Sequence, residues 1–329
     1  MSELEKTSPH NHPSIESERI NPFKFMKIDD NTMLNQIEGR FICPKCTKSR
    51  KFYCYTCFIP VGDLILPKVS IPIFIDIIKH KQEIDGKSTS GHAAVICPNK
   101  CKVYSYPNIP DYSNEEGVVL IYPGKDSITV TQIFNENIVL KYQNENFGLP
   151  QGFNMGTLLR TRLEEVKCPN IVSLTGEHFY TYENLPIKKA VFIDSTWNQS
   201  RSIFKDERIS CLKQIVLQNR VSQFWRHQKK SPRWYLATIE AIHQLLLEIH
   251  ANAWGINRNY KGLQNLGICP EFYKFLEEKD VFKNDMFEAS PYNGQYDNLL
   301  FFFINMYDLI HKHYDHNLLK SYRRPINLI

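Results

Sequence analysis

The stretch VFIDSTWNQS, residues 191–200, sets a carboxylate, two hydroxyls and an indole in a row where an apolar run ends. Residues 190–194 (AVFID) read as a strand, and ligands of open α/β sheets bind beyond the carboxyl ends of strands. There Asp194 is held by a rigid element yet faces a bound molecule, a position that suits a general base or a cofactor anchor. The competing reading is a cap, in which Asp194, Ser195 or Thr196 bonds the free N–H groups of a helix beginning near Asn198. Both roles can hold together. Two other stretches belong at the same sheet end. In LIYPG (120–124) a strand leaves through Tyr122, Pro123 and Gly124, and LATIEA (236–241) opens a strong helix with Leu236, Thr238 and Glu240 about its first turn. Free N–H groups at a helix start attract anions; turn formation and capping are the ordinary alternative.

A second constellation is CPKCTKSRKFYCYTC, with cysteines spaced as Cys43-x2-Cys46-x7-Cys54-x2-Cys57. Paired thiolates with two-residue gaps form tight knuckles around one tetrahedral ion, so the spacing predicts zinc. Four protein ligands leave no open position, and the metal is therefore structural. Lys48, Arg50 and Lys51 lie between the knuckles with Phe52, Tyr53 and Tyr55. Such groups can grip an RNA backbone and stack on a base, or the aromatics can pack the knuckle onto the main domain. The stretch FWRHQKKSPRWY (224–235) interleaves Trp225 and other aromatics with Arg226, His227, Lys229, Lys230 and Arg233, and is the best nucleic-acid contact in the chain. A solvated charge run is its alternative. Cys97-x3-Cys101 lacks a matching pair, and HKHYDH (311–316) reads as a solvated helix end, so neither predicts a second metal.

The rest of the chain must position these groups. Its 329 residues are 42% hydrophobic, enough for a sizeable core, and a formal net charge of +5 is compatible with a phosphate-bearing partner. The N-terminal residues hold no apolar stretch of the secretory kind, and the most apolar window, 299–310, is too short to span a bilayer. These features predict an intracellular chain, nuclear or cytoplasmic, with no membrane partner. Short apolar runs at 71–78, 92–97, 117–122, 190–194 and 211–217 read as strands. Helical periodicity marks 154–166, 234–252 and 296–314, with a shorter signal in PEFYKFLEEK. Strands interleaved with helices predict an α/β fold: a mostly parallel sheet with helices on both faces. The expected organisation is a disordered polar tail over 1–38, a four-cysteine module over 39–64 and a catalytic domain over 65–329. An insertion at about 253–291 separates the last two helices.

In chain order, the CPKC…CYTC knuckle, DIIKH, DGKST, YPG, VFIDSTWNQ, FWRHQK, TIEAI and GQYDNLLFF make this sequence similar to the DTW-domain family of tRNA-uridine aminocarboxypropyltransferases. The family's D-x-T-W signature matches Asp194, Thr196 and Trp197, and the likeness covers roughly 40–165, 190–252 and 293–312. The resemblance implies transfer of the 3-amino-3-carboxypropyl group of S-adenosylmethionine to N3 of a uridine in the tRNA D-loop. It also implies a fold related to the knotted SPOUT methyltransferases, with a knot in the C-terminal half and S-adenosylmethionine among the loops there. Asp194, Thr196 and Trp197 are then catalytic. Asp194 accepts the N3 proton, and Trp197 stacks on uracil or adenine or wedges the loop. Tyr122, Pro123 and Gly124 line the adenosine, Leu236 is a further cofactor contact, the amides near Thr238 receive the cofactor's carboxylate, and Asp194 or Glu240 receives its ammonium. Two other readings compete: methyl transfer on the same fold, and a non-catalytic zinc-bearing RNA-binding protein. The chain is expected to act as a monomer or a homodimer.

Overall fold

The computed structural model describes residues 21–144, 180–228, 231–267, 269–281 and 290–324. Six strands form the central sheet: β1 (Phe74–Lys79), β2 (Cys101–Ser105), β3 (Val118–Ile121), β4 (Ile128–Thr129), β5 (Lys189–Asp194) and β6 (Lys213–Val216). They lie in the order β2-β1-β5-β3-β6-β4, and every pairing is parallel. The longest strands, β1 and β5, pair in the middle over six positions, from Phe74 opposite Lys189 to Lys79 opposite Asp194. Asp194 therefore stands at the carboxyl edge of the best-anchored part of the sheet.

Helices α1 (Ser90–Ile96), α2 (Val130–Asn144), α3 (Trp197–Phe204), α4 (Glu207–Ser210), α5 (Thr238–Trp254), α6 (Pro270–Glu278) and α7 (Phe301–His313) cover both faces. Side chains alternate across a strand, and the core divides accordingly. Ile75, Ile77, Ala190 and Phe192 join a large cluster with Ala93 of α1, Phe134 of α2, Leu246 of α5 and Phe303 of α7. Ile78, Leu120 and Val191 pack on the other face with Ile203 of α3 and Ile209 of α4. Helix α5 is buried along nearly its whole length and ends at Gly255, whose φ of 77° an L side chain rarely adopts. Each buried Leu or Ile on it adds about 1.5–3 kcal/mol of transfer free energy.

The fold departs from the sequence reading at 92–97 and in the N-terminal stretch, while the helix signal in PEFYKFLEEK appears as α6. Residues 92–97 are not a strand: most of the run lies in α1, all seven residues of which are buried. A segment buried on every side loses its period, and a short apolar run then looks alike in either structure. The strand that follows it, β2, is a partly exposed edge strand of mixed polarity, CKVYS, and carries little apolar signal. The composition of 1–38 predicts disorder, whereas residues 21–38 carry a short helix, Met33–Gln36, and put Phe23 and Leu34 into the main core. The segment between α5 and α7 is ordered where described: Ile256–Asn257 pairs in parallel with Asp280–Val281, and α6 buries Phe272 and Phe275. The helix expected at 154–166 lies outside the described residues, as do Cys168 and residues 1–20. No described helix is long and apolar enough to cross a membrane.

Candidate functional site

Asp194 is only 7% exposed, and each of its carboxylate oxygens accepts one hydrogen bond. Oδ2 receives the Ser88 hydroxyl at 2.6 Å, and Oδ1 receives the Thr238 hydroxyl at 2.8 Å. Ser88 precedes α1, and Thr238 is the first residue of α5, so Asp194 joins the starts of two helices to the end of β5. The same junction is tightened by Thr89, whose hydroxyl accepts from the Ile239 N–H at 3.2 Å, and by the Asp194 carbonyl, which accepts from the His80 N–H at 3.1 Å. An ionised carboxylate has about four acceptor positions. Two are filled here, which leaves room for a proton or an ammonium. Burial lowers the pKa of Lys79, the cross-strand neighbour, while the charges of Asp194 and Glu83 act to raise it.

The D-x-T-W residues are placed differently: Asp194 ends β5, and Thr196 and Trp197 begin α3. Thr196 is the N-cap of α3: its N–H donates to Gln199 Oε1 at 3.1 Å, and its hydroxyl to the same oxygen at 2.9 Å. The sequence reading expected a side chain accepting from free helix N–H groups near Asn198; here Thr196 instead donates to the Gln199 side chain, and the Asp194 carboxylate takes its donors from elsewhere. Trp197 is the first residue of α3. Tyr122 stacks on Phe204 with centroids 4.6 Å apart, Pro123 is exposed, and the Gly124 N–H closes a tight turn to the Tyr122 carbonyl at 2.9 Å. A Cβ on Gly124 would lie 1.8 Å from Gln214 Oε1, so the turn sits directly against the Gln214 side chain of β6. Leu236 is half-buried before α5.

Glu240 is a correction. Its Oε2 accepts from the Ser222 hydroxyl at 2.7 Å and the Ala237 N–H at 2.8 Å, and its Oε1 from the Gln223 N–H at 2.8 Å. Fully buried and occupied by three donors, it clamps the start of α5 and is not placed to receive a cofactor ammonium. The helix-start amides are reduced in the same way, since Ala237 N–H and Ile239 N–H already have partners.

Two short antiparallel ribbons, Phe41–Ile42 with Ser49–Arg50 and Tyr53–Cys54 with Ile59–Pro60, carry the cysteines. The two halves repeat one design. Thr47 N–H donates to the Cys43 carbonyl at 2.9 Å and Phe58 N–H to the Cys54 carbonyl at 2.7 Å, and both residues have left-handed φ, 58° and 52°. The four sulfurs all lie within 4.8 Å of one another. A tetrahedral ion with Zn–S bonds of about 2.3 Å requires separations of about 3.8 Å, so Cys43, Cys46, Cys54 and Cys57 fit zinc after small adjustment. Among the described residues no other group of this kind gathers.

The expected RNA-contacting residues that are described differ in their surroundings. Lys48, Lys51 and His227 are exposed. Arg50 is buried in the knuckle, with its guanidinium 3.8 Å over the Tyr55 ring and bonds to the Ser49 carbonyl and Thr56 hydroxyl, so it builds the module instead of facing solvent. Arg233 packs over Tyr322 and donates to the Ser222 carbonyl. Lys229 and Lys230 lie outside the described residues. The knuckle aromatics do dock the module: Tyr53 meets Phe302 at 5.0 Å and His92 at 5.9 Å, and Phe52 stacks near Phe302. Lys51, Trp225 and Arg226 nevertheless meet, around a cleft of about 320 Å³ that also borders Ser88 and Thr89. His92 also lines it. Burial pushes its pKa down to about 3, and its Nδ1 has no partner among the described residues. Sequence reasoning assigned no role to Ser88, Thr89, His92, Phe302 or Arg40. The legible signal for the first two was the hydroxyl pair of DGKST soon after a strand.

Residues 51–311 match the model of the DTW domain. The chain is 34% identical to tRNA-uridine aminocarboxypropyltransferase 1 of Xenopus tropicalis, over 92% of this chain and 89% of that protein. It is 35% identical to the mouse protein of that name, over 93% and 88%, and 37% identical to the human one, over 84% and 78%. No solved structure matches. The matched domain runs through the Asp194 junction and half of the cysteine knuckle, and the relatives extend the likeness over most of the remainder: the chain belongs to the DTW-domain family.

Proposed function

We propose that this chain is a tRNA-uridine aminocarboxypropyltransferase that alkylates N3 of a D-loop uridine. The observation that carries the site assignment is Asp194: a strand-end carboxylate, rigidly held, with half of its acceptor positions open. N3 of uracil is a poor nucleophile until its proton leaves, and a positioned carboxylate accepts that proton as attack begins. S-adenosylmethionine supplies the electrophile, a γ-carbon beside a sulfonium. As the N3–C bond forms, the C–S bond breaks, its electron pair stays on sulfur, and the N3 proton passes to Asp194. Orientation is the main task of the chain, since a rotated cofactor would present its methyl group instead. With Glu240 occupied, Asp194 is also the carboxylate left to hold the cofactor's ammonium.

The remaining assignments follow the same reading. Tyr122, Pro123, Gly124, Leu236 and Thr238 surround the cofactor, and Thr238 steers Asp194 through its 2.8 Å bond. Thr196 sets the start of α3, and so the backbone at Trp197. A SPOUT-like ancestry with a knot in the C-terminal half belongs to this proposal, and the six parallel strands support it. Zinc in the knuckle is structural: Cys43, Cys46, Cys54 and Cys57 would hold it, and it would fix the two ribbons. Lys48, Lys51, Trp225, Arg226 and His227 face the tRNA.

The test is incubation with unmodified tRNA and S-adenosylmethionine labelled in the aminocarboxypropyl carbons, with the released nucleoside identified. Label in the tRNA and an equal amount of methylthioadenosine is the expected result. Release of S-adenosylhomocysteine would establish methyl transfer instead. Tight tRNA binding with no affinity for S-adenosylmethionine would leave a zinc-bearing RNA-binding protein.

A further inference from the structure

Asp194 lies between two groups of residues. Its Oδ1 is tied to Thr238, in the stretch assigned to the cofactor, and its Oδ2 to Ser88, which lines the cleft on the knuckle side. Neither residues 122–124 nor residues 236–240 border that cleft. Its walls are aromatic: Tyr53 from the knuckle, Phe224 and Trp225 from the loop before α5, and Phe302 from α7. Cations stand around it, with Arg40 and Lys51 exposed and Arg226 half-buried. A volume of about 320 Å³ is at the small end of ligand sites and suits one ring system. Flat aromatic walls with cations beside them match a nucleotide, whose base stacks while its phosphates pair with Arg and Lys. Chemistry on a base also requires the base to leave its stack and enter a pocket.

We propose that this cleft receives the target uracil, flipped out of the tRNA, and that the four-cysteine knuckle is a wall of the active site. The proposal rests on the reading of the chain as a uridine-modifying enzyme. The N3 edge points to Ser88 and Asp194, the ring lies against Tyr53 or Trp225, and the flanking phosphates meet Arg40, Lys51 and Arg226. Cofactor and base then approach Asp194 from opposite sides, each through its own hydroxyl, Thr238 or Ser88. The metal module acts on catalysis by shaping the pocket, because Tyr53 immediately precedes the ligand Cys54 and rests on Gly91, where a Cβ would come within 3.1 Å of its ring.

The experiment is photocrosslinking of full-length, zinc-loaded protein to a tRNA transcript containing 4-thiouridine, with the crosslinked peptides mapped by mass spectrometry. Crosslinks within 51–55 and 224–226 are expected. Gly86→Trp should reduce them about tenfold, because its ring fills space where a Cβ meets nothing nearer than the Tyr55 hydroxyl at 3.8 Å. S-adenosylmethionine binding by equilibrium dialysis without RNA should be unchanged in that variant, which also reports its folding. Loss of cofactor binding with crosslinks retained would assign the cleft to adenosine and overturn the proposal, as would crosslinks confined to residues outside it. If Gly86→Trp does not fold, Lys51→Glu should raise KM for tRNA about tenfold with a shallower salt dependence; an unchanged KM and salt dependence would overturn the proposal. Crosslinks in the cleft of the wild-type protein without methylthioadenosine release would instead overturn the reaction and leave the pocket standing.

Discussion

Asp194 and Asp297 are both carboxylates withdrawn from water, and they are held in opposite ways. Asp297, between the segment 290–296 and α7, is saturated. Its Oδ2 accepts from the Lys27 N–H at 2.7 Å and from the Tyr260 hydroxyl, and its Oδ1 from the Tyr292 hydroxyl at 2.7 Å and His243 Nε2 at 3.3 Å. Arg220 Nη1 lies 3.2 Å from His243 Nδ1 and can only donate, which fixes the neutral ring with its proton on Nε2. Burial pushes the pKa of Asp297 up, but the His243 contact and the tyrosine hydroxyls outweigh it, and the net shift is downward. Among the described residues Asp194 has two donors, which leaves two open positions. Burial alone does not separate a structural carboxylate from a chemical one; the count of unfilled lone pairs does.

The comparison is broken most directly by exchanging the two residues' fates. Asp194→Asn should lower the single-turnover rate of methylthioadenosine release by about 10²–10⁴-fold, with a melting midpoint close to wild type. A near-normal rate would remove the base from the mechanism. Asp297→Ala strands four donors and should cost about 3–5 kcal/mol in denaturant unfolding, while the rate per folded molecule holds. A loss below about 1 kcal/mol would mean the network is dispensable. Removing one hydroxyl sharpens the contrast on a smaller scale. Ser88→Ala and Thr238→Val each lose one hydrogen bond to Asp194, worth about 1 kcal/mol or roughly fivefold. Steady-state kinetics should show the first in KM for tRNA and the second in KM for S-adenosylmethionine; the reverse assignment would interchange the two sides of the site.

The smallest effect is a pH dependence. Burial pushes the pKa of Glu248 up to about 8 from its ordinary 4.5, against the Gln244 and Gln218 hydrogen bonds. The folded chain then binds a proton the unfolded chain has released, so this contribution is complete below about 4.5 and is lost as pH rises through about 8. His92 and His250, pushed down by burial to about 3 and about 4, act oppositely, and their contribution is lost only as pH falls below about 6.5. Unfolding midpoints between about pH 7 and 8 should therefore fall in the wild type and flatten in Glu248→Gln. An identical slope in both proteins would place the titration elsewhere.

Much of the sheet was legible because strands β1, β3 and β5 are largely buried, mostly apolar runs with clear ends, while β6 buries only Ile215 and showed through the IVL of its apolar run. The cysteine knuckle was legible because metal ligation fixes spacing. Asp194 was legible from its place at the end of such a run. What escaped notice had no local signature. Phe23 and Leu34 sit in a polar stretch whose partners, on α7, lie far along the chain, so composition alone described them as a tail. Ser88 gains meaning only because β1 and β5 are neighbours, and Glu240 loses its expected role only because Ser222 and Gln223 fold back onto it. Residue types can announce a carboxylate, but which of its lone pairs are already taken is decided by segments remote in sequence.

The Lys27 N–H reaches Asp297 across 270 positions, and the proposed uracil cleft borrows Phe302 and Met306 from the last long helix. A chain still being synthesised carries its cysteines and Asp194 long before it carries those residues. Contacts of such sequence separation form late and slowly, and domains fold as their segments emerge. A chain ending before α7 thus lacks one wall of the cleft and the Asp297 contact to Lys27. The proposed nucleotide cleft is therefore complete only once residues 302 and 306 have joined the fold.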